Sequence, residues 1–113
     1  MPLADRALAV LDEARRELPH DHGLVFPSQA GGIQRNGIMS DLMHELKIDA
    51  VPHGFRSSFR DWAAERTEAP REVCELALAH VTNDRTEAAY RRSDLFERRR
   101  TLRQQWAVYL CNP

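Results

Sequence analysis

The 113-residue sequence has little of what marks a disulfide scaffold, a membrane protein or a secreted chain. Its two cysteines, Cys74 and Cys111, stand 37 residues apart with no CxxC and no Cys/His cluster, which supports neither a disulfide framework nor a zinc finger. No apolar run approaches the roughly 18 residues that a spanning helix needs, and the N-terminus lacks a basic stretch followed by an apolar one. A reducing cytoplasm is the expected compartment. Internal repeats and low-complexity tracts are missing. His20-x-His22 has no third ligand at helical spacing and no HExxH occurs, so no metal is expected and a metal-dependent hydrolase using His20, His22, His53 or His80 with Asp61 or Asp84 is set aside. Lysine is nearly absent: Lys47 stands against 15 arginines.

At 42% hydrophobic and 29% charged residues, the composition fits one small domain, or part of one, with a core of its own rather than a disordered chain. The formal net charge of -1 hides an asymmetry. Residues 1–52 carry 5 basic and 8 acidic side chains, a balance of -3, whereas residues 53–113 carry 11 and 9, a balance of +2. Between Arg85 and Arg103 seven arginines face only Glu87, Asp94 and Glu97, a local +4. Arginine's planar fork suits bidentate phosphate contacts, so an anionic partner is one reading. The other is a solvated helical face with i,i+4 ion pairs such as Glu87/Arg91, and charge alone leaves both open.

The periodicity predicts an all-α, or mainly α, chain of about six helical segments with at most a stub of extended chain. Ala7, Leu8, Val10, Leu11, Ala14 and Leu18 give an amphipathic helix over 5–18, ended by Pro19. Residues 19–32 read as a connecting loop around the short Leu24-Val25-Phe26 run. Asn36 is the expected N-cap of a second helix to about Lys47, with Ile38, Met39, Leu42, Met43 and Leu46 on one stripe. A third helix from His53 or Gly54 to about Thr67 turns Phe55, Phe59, Trp62 and Ala63 inward, and a fourth covers 71–79 behind Pro70. Thr82-Asn83-Asp84 turns into a short helical segment through Tyr90, and Asp94 caps a last helix to about Leu110 with Leu95, Leu102, Trp106, Tyr109 and Leu110 as its apolar stripe.

Four polar residues fall where helix ends and turns meet: His53 and Arg56 in His-Gly-Phe-Arg, His80 in Leu-Ala-His, and Tyr90 in Ala-Ala-Tyr-Arg-Arg. Each alone has a plain explanation: a surface pair at i,i+3, a histidine at a helix C-terminus, a half-buried aromatic. Their spacing does more. His-x-x-Arg, then 24 residues to the Leu-Ala-His histidine, then 10 to a Tyr followed by two arginines, resembles the C-terminal half of the tyrosine recombinase (phage integrase) catalytic domain, especially in prophage and genomic-island integrases. The wider runs His-Gly-Phe-Arg-Ser-Ser-Phe-Arg-Asp-Trp-Ala and Leu-Ala-Leu-Ala-His-Val look like the same subgroup, and the resemblance covers nearly the whole chain.

The resemblance implies site-specific DNA recombination through a 3′-phosphotyrosyl intermediate, with no cofactor. Tyr90 would be the nucleophile, His53 the general base and acid, Arg56 a phosphate clamp and His80 a phosphate hydrogen bond. The chemistry is coherent: a phenol with a pKa near 10 needs a proton acceptor at neutral pH, and a phosphorane needs preorganised donors. Arg85, Arg91 and Arg92 would contact DNA. The implied partners are double-stranded attachment-site DNA and further recombinase subunits, with self-association through the 94–110 helix, at a nucleoid-associated site without a membrane. The family's first arginine, in a Thr/Ser-Gly-x-Arg-x-x-Glu setting, and its hairpin lysine have no counterpart in 1–113. The chain is thus expected to be a partial catalytic domain lacking its N-terminal sheet, incomplete for catalysis alone. The alternative is a DNA-binding or subunit-docking module.

Overall fold

A computed structural model describes residues 1–18, 23–79 and 94–112. They form five helices, α1 Asp5–Glu17, α2 Ile38–Glu45, α3 Gly54–Arg66, α4 Arg71–Ala77 and α5 Phe96–Cys111, with no strand among the described residues. The chain is mainly helical, as its periodicity requires. The turn and short segment expected over 82–90 lie outside the described residues. The chain divides into two compact units, one of 1–5 with 56–113 and one of 6–55.

The first unit holds the core. The inward positions of α3, Phe59, Trp62 and Ala63, pack with Val73, Cys74 and Ala77 of α4 and Leu102 of α5. Between α3 and α4 the chain turns at Thr67, whose hydroxyl donates to the Ala63 carbonyl at 2.6 Å and accepts the Ala69 N–H at 3.2 Å. Pro70 then serves as N-cap of α4, in keeping with its fixed φ and missing N–H. Arg60 on α3 donates to Glu75 on α4 at 2.9 Å, joining the two helices at the edge of the core. Burial pushes the Cys74 thiol above its usual range, which leaves it an inert core residue. At the other edge, Asp5 N–H donates to Gln104 Oε1 at 3.0 Å, tying the N-terminal residues to α5.

The apolar stripe expected on the last helix is only partly buried. Leu102 is 2% exposed and Trp106 half-buried, but Tyr109 and Leu110 are exposed, and the other buried residue of α5 is Arg99. Tyr109 nevertheless stacks on Trp106, ring centroids 5.6 Å apart and 20° between planes, and Trp106 lies 5.0 Å from Trp62. These aromatics seal the core rather than form a free platform.

In the second unit the helical faces are present but little covered. Of the α2 stripe only Met43 is buried, and α1 buries no residue along its length. Asn36 is not the cap of α2. Gly37 occupies the N-cap at φ 87, a left-handed conformation that glycine takes without a Cβ penalty, so the asparagine falls one residue early in the turn. The second helix stops at Glu45, and Lys47 leaves it at φ 55. Phe55, expected inward, is 55% exposed. It precedes the core-facing positions of α3 by a full turn.

Leu102 joins helices α3, α4 and α5 through one contact surface, so Leu102→Ala should destabilise the fold by about 2–5 kcal/mol in urea unfolding. A loss under about 1 kcal/mol would mean that the core does not close on α5.

Candidate active site

The sequence Val51-Pro52-His53-Gly54 closes a turn, with Gly54 N–H on the Val51 carbonyl at 2.9 Å and Phe55 N–H on that of Pro52 at 3.4 Å. His53 is exposed in this turn, and Arg56 falls in the first turn of α3. Arg56 is half-buried and its Nη2 donates to the Leu78 carbonyl at 2.7 Å. Leu78 is the C-cap of α4, two residues before His80. Of the expected site residues, the structure therefore brings Arg56 to the stretch of chain that leads into His80. His80, Tyr90, Arg85, Arg91 and Arg92 lie outside the described residues.

The end of α4 is built with unusual care. Leu78 N–H reaches the Cys74 carbonyl at 3.1 Å and Ala79 N–H that of Leu76 at 3.1 Å, after which Ala79 turns left-handed at φ 53. This is the position at which helices commonly end on glycine. At this end the carbonyls of Ala77 and Leu78 each accept from an arginine: Arg103 of α5 on Ala77, Arg56 of α3 on Leu78.

Further along, Asp94 does hold the start of the last helix, but from one position outside it. Leu95 is the N-cap at φ 51, and the Asp94 carboxylate accepts the Phe96 N–H at 3.1 Å while its second oxygen receives Arg99 Nη2 at 2.6 Å. Arg99 is 8% exposed and Arg103 half-buried. The sequence counts both in the basic stretch 85–103, which charge alone leaves open between an anion-binding and a solvated face. Their signal was present: 99, 102, 103 and 106 follow i, i+3, i+4, i+7 and so share the buried face with Leu102 and Trp106.

Among the described residues no three His, Cys, Asp or Glu side chains gather as a metal site. What the described residues bring together is two guanidinium donors at the end of one helix.

Comparison with known proteins gives the chain's relatives. The chain is 35% identical, over 95% of its length, to prophage integrase IntA of Escherichia coli (strain K12), of which the match covers 26%. It is similar to an integrase. IntB of the same organism is 26% identical over 97% of the chain and 29% of its own length. The chain thus spans about a quarter of the length of the curated relatives it matches. No protein-family model and no solved structure matches it. No described helix is long and apolar enough to cross a membrane.

Ala79 pays the steric penalty of a left-handed L-residue, so Ala79→Gly should stabilise the chain by about 0.5–1 kcal/mol, measured as a rise in the urea midpoint. A fall would mean that α4 does not end in this conformation.

Proposed function

We propose that the chain is the helical C-terminal part of a tyrosine recombinase catalytic domain, acting in integration or excision of mobile DNA. The observation that carries this reading is the Arg56–Leu78 hydrogen bond, which sets the arginine of His-x-x-Arg two residues from His80 in the chain. The similarity to IntA over 95% of the chain supports it.

In this mechanism the Tyr90 phenol oxygen attacks the scissile phosphorus and the bond to the 5′-oxygen breaks, leaving a 3′-phosphotyrosyl link and a 5′-hydroxyl. The phosphodiester energy stays in the covalent link, so rejoining needs no external source. His53 accepts the phenol proton as attack begins. Charge gathers on the nonbridging oxygens, where Arg56 donates from its fork and His80 adds one hydrogen bond. Arg85, Arg91 and Arg92 grip the flanking DNA phosphates. The first phosphate-binding arginine and the acid that protonates the leaving oxygen are supplied from outside residues 1–113, and other subunits dock through the 94–110 helix.

The test replaces the matching segment of IntA with this chain and offers attachment-site DNA. Tyr90→Phe should abolish the covalent DNA adduct and spare binding, while Arg56→Ala should slow cleavage by about 10²–10³ with a far smaller loss of affinity. An adduct retained by Tyr90→Phe would put the nucleophile elsewhere, and equal losses for Arg56→Ala would reduce it to a DNA-positioning contact. DNA binding without any adduct from the unsubstituted chimaera would favour the binding-module reading.

A further inference from the structure

The mechanism leaves one arrangement without a purpose: a buried and a half-buried arginine one turn apart on α5. Arg99 and Arg103 lie one turn apart, and the Nε of each is buried with no hydrogen-bond partner among the described residues. Burial first, and then the positive charge of Arg99, push the Arg103 guanidinium below its ordinary pKa. A cation held against desolvation and a like charge needs a compensating acceptor. For Arg99 that acceptor is the Asp94 carboxylate at 2.6 Å. For Arg103 it is the Ala77 carbonyl, where the unpaired groups of a helix end carry partial negative charge.

The next carbonyl along the chain, that of Leu78, is the one that takes Arg56. Arginines from two different helices therefore meet successive carbonyls of a third. Peptide planes are rigid, so the orientation of the Leu78 carbonyl relative to that of Ala77 depends only on the two dihedrals of Leu78, observed at φ -85 and ψ 1. From inside the helix, Leu78 N–H on the Cys74 carbonyl and Ala79 N–H on that of Leu76 hold the two planes, and Arg103 holds the first from outside. The second, in turn, fixes one nitrogen of the Arg56 fork, and the guanidinium is planar, so its other donors are aimed along with it.

We propose that Arg103 is a positioning residue for Arg56: by holding the Ala77 carbonyl it fixes the Leu78 carbonyl, and so the direction in which Arg56 presents its donors to a phosphate. The inference rests on the reading of Arg56 as a phosphate clamp. Its structural half, the hold of one arginine on another through a helix end, does not need DNA to be tested.

The 113-residue chain labelled at arginine reports this by NMR, as the rate of rotation of the Arg56 guanidinium about its Nε–Cζ bond. Arg103→Met, which keeps bulk and removes the donor, should speed that rotation about tenfold, the effect of losing one charge-assisted hydrogen bond. Arg103→Lys restores a donor and should stay within about threefold of the unsubstituted chain, and Arg98→Met, at an exposed neighbour on α5, should leave it unchanged. Unchanged rotation in folded Arg103→Met, or equal acceleration in Arg98→Met, overturns the proposal. Should Arg103→Met not fold, Arg103→Lys decides, since a rotation as fast as that of a free arginine side chain overturns it and near-native rotation supports it.

In the IntA chimaera, Arg103→Met should lower the cleavage rate at saturating DNA about tenfold without changing the half-saturating concentration, and Arg103→Lys should recover most of the rate. A loss expressed wholly as weaker binding contradicts the assignment. If the unsubstituted chimaera never cleaves, the recombinase reading fails, while the rotation of Arg56 still decides whether Arg103 holds it.

Discussion

The C-terminal end of α4 is the constraint around which the described part of residues 56–112 is organised. A helix end leaves carbonyls without intrahelical donors, and burial makes each of them costly. Here two of those carbonyls are answered by arginines from α3 and α5, so one terminus joins three helices by polar contacts. The apolar core of Phe59, Trp62, Ala63, Val73, Cys74 and Leu102 brings the same three helices together from the other side. Packing sets their approach, and the arginine contacts set their register.

This arrangement explains how a short helical chain can aim a guanidinium with accuracy. Arg56 sits in the first turn of a helix whose next two turns bury Phe59, Trp62 and Ala63, which fixes its backbone, and its side chain ends on the Leu78 carbonyl. A phosphoryl-transfer site gains most from donors that need no reorganisation as charge develops. The expense of placing Arg103 near Arg99 is intelligible in that light, since it is offset at the helix end that Arg56 depends on.

Helices were legible in the sequence because a 3.6-residue apolar period survives in every one of α1 to α4, and the proline at 70 and the Thr67 turn marked their limits. Burial was less so. Periodicity identifies which face of α1 or α2 is apolar but carries no information about what covers it, and Met43 is the one buried member of the α2 stripe. Side-chain capping propensity points to Asn36 as the cap of α2, whereas the left-handed φ that Gly37 supplies decides the position. His53 and Arg56 were visible as a spaced motif, whereas Arg99 and Arg103 were hidden: composition counts an arginine as surface charge, and only its phase against Leu102 and Trp106 reveals that it faces inward. The left-handed Ala79 has no sequence signal, since alanine there is an ordinary helix former.

In the proposed mechanism Tyr90, at the far end of the His-x-x-Arg and His80 series, makes the covalent bond to DNA. Tyr109 is the rival, and its stacking on Trp106 leaves it in an aromatic cluster. Mass mapping of the peptides from a trapped protein–DNA adduct of the IntA chimaera distinguishes the two directly. A nucleotide mass on the peptide that contains Tyr90 is the predicted result, and one on the peptide that contains Tyr109 would contradict the account.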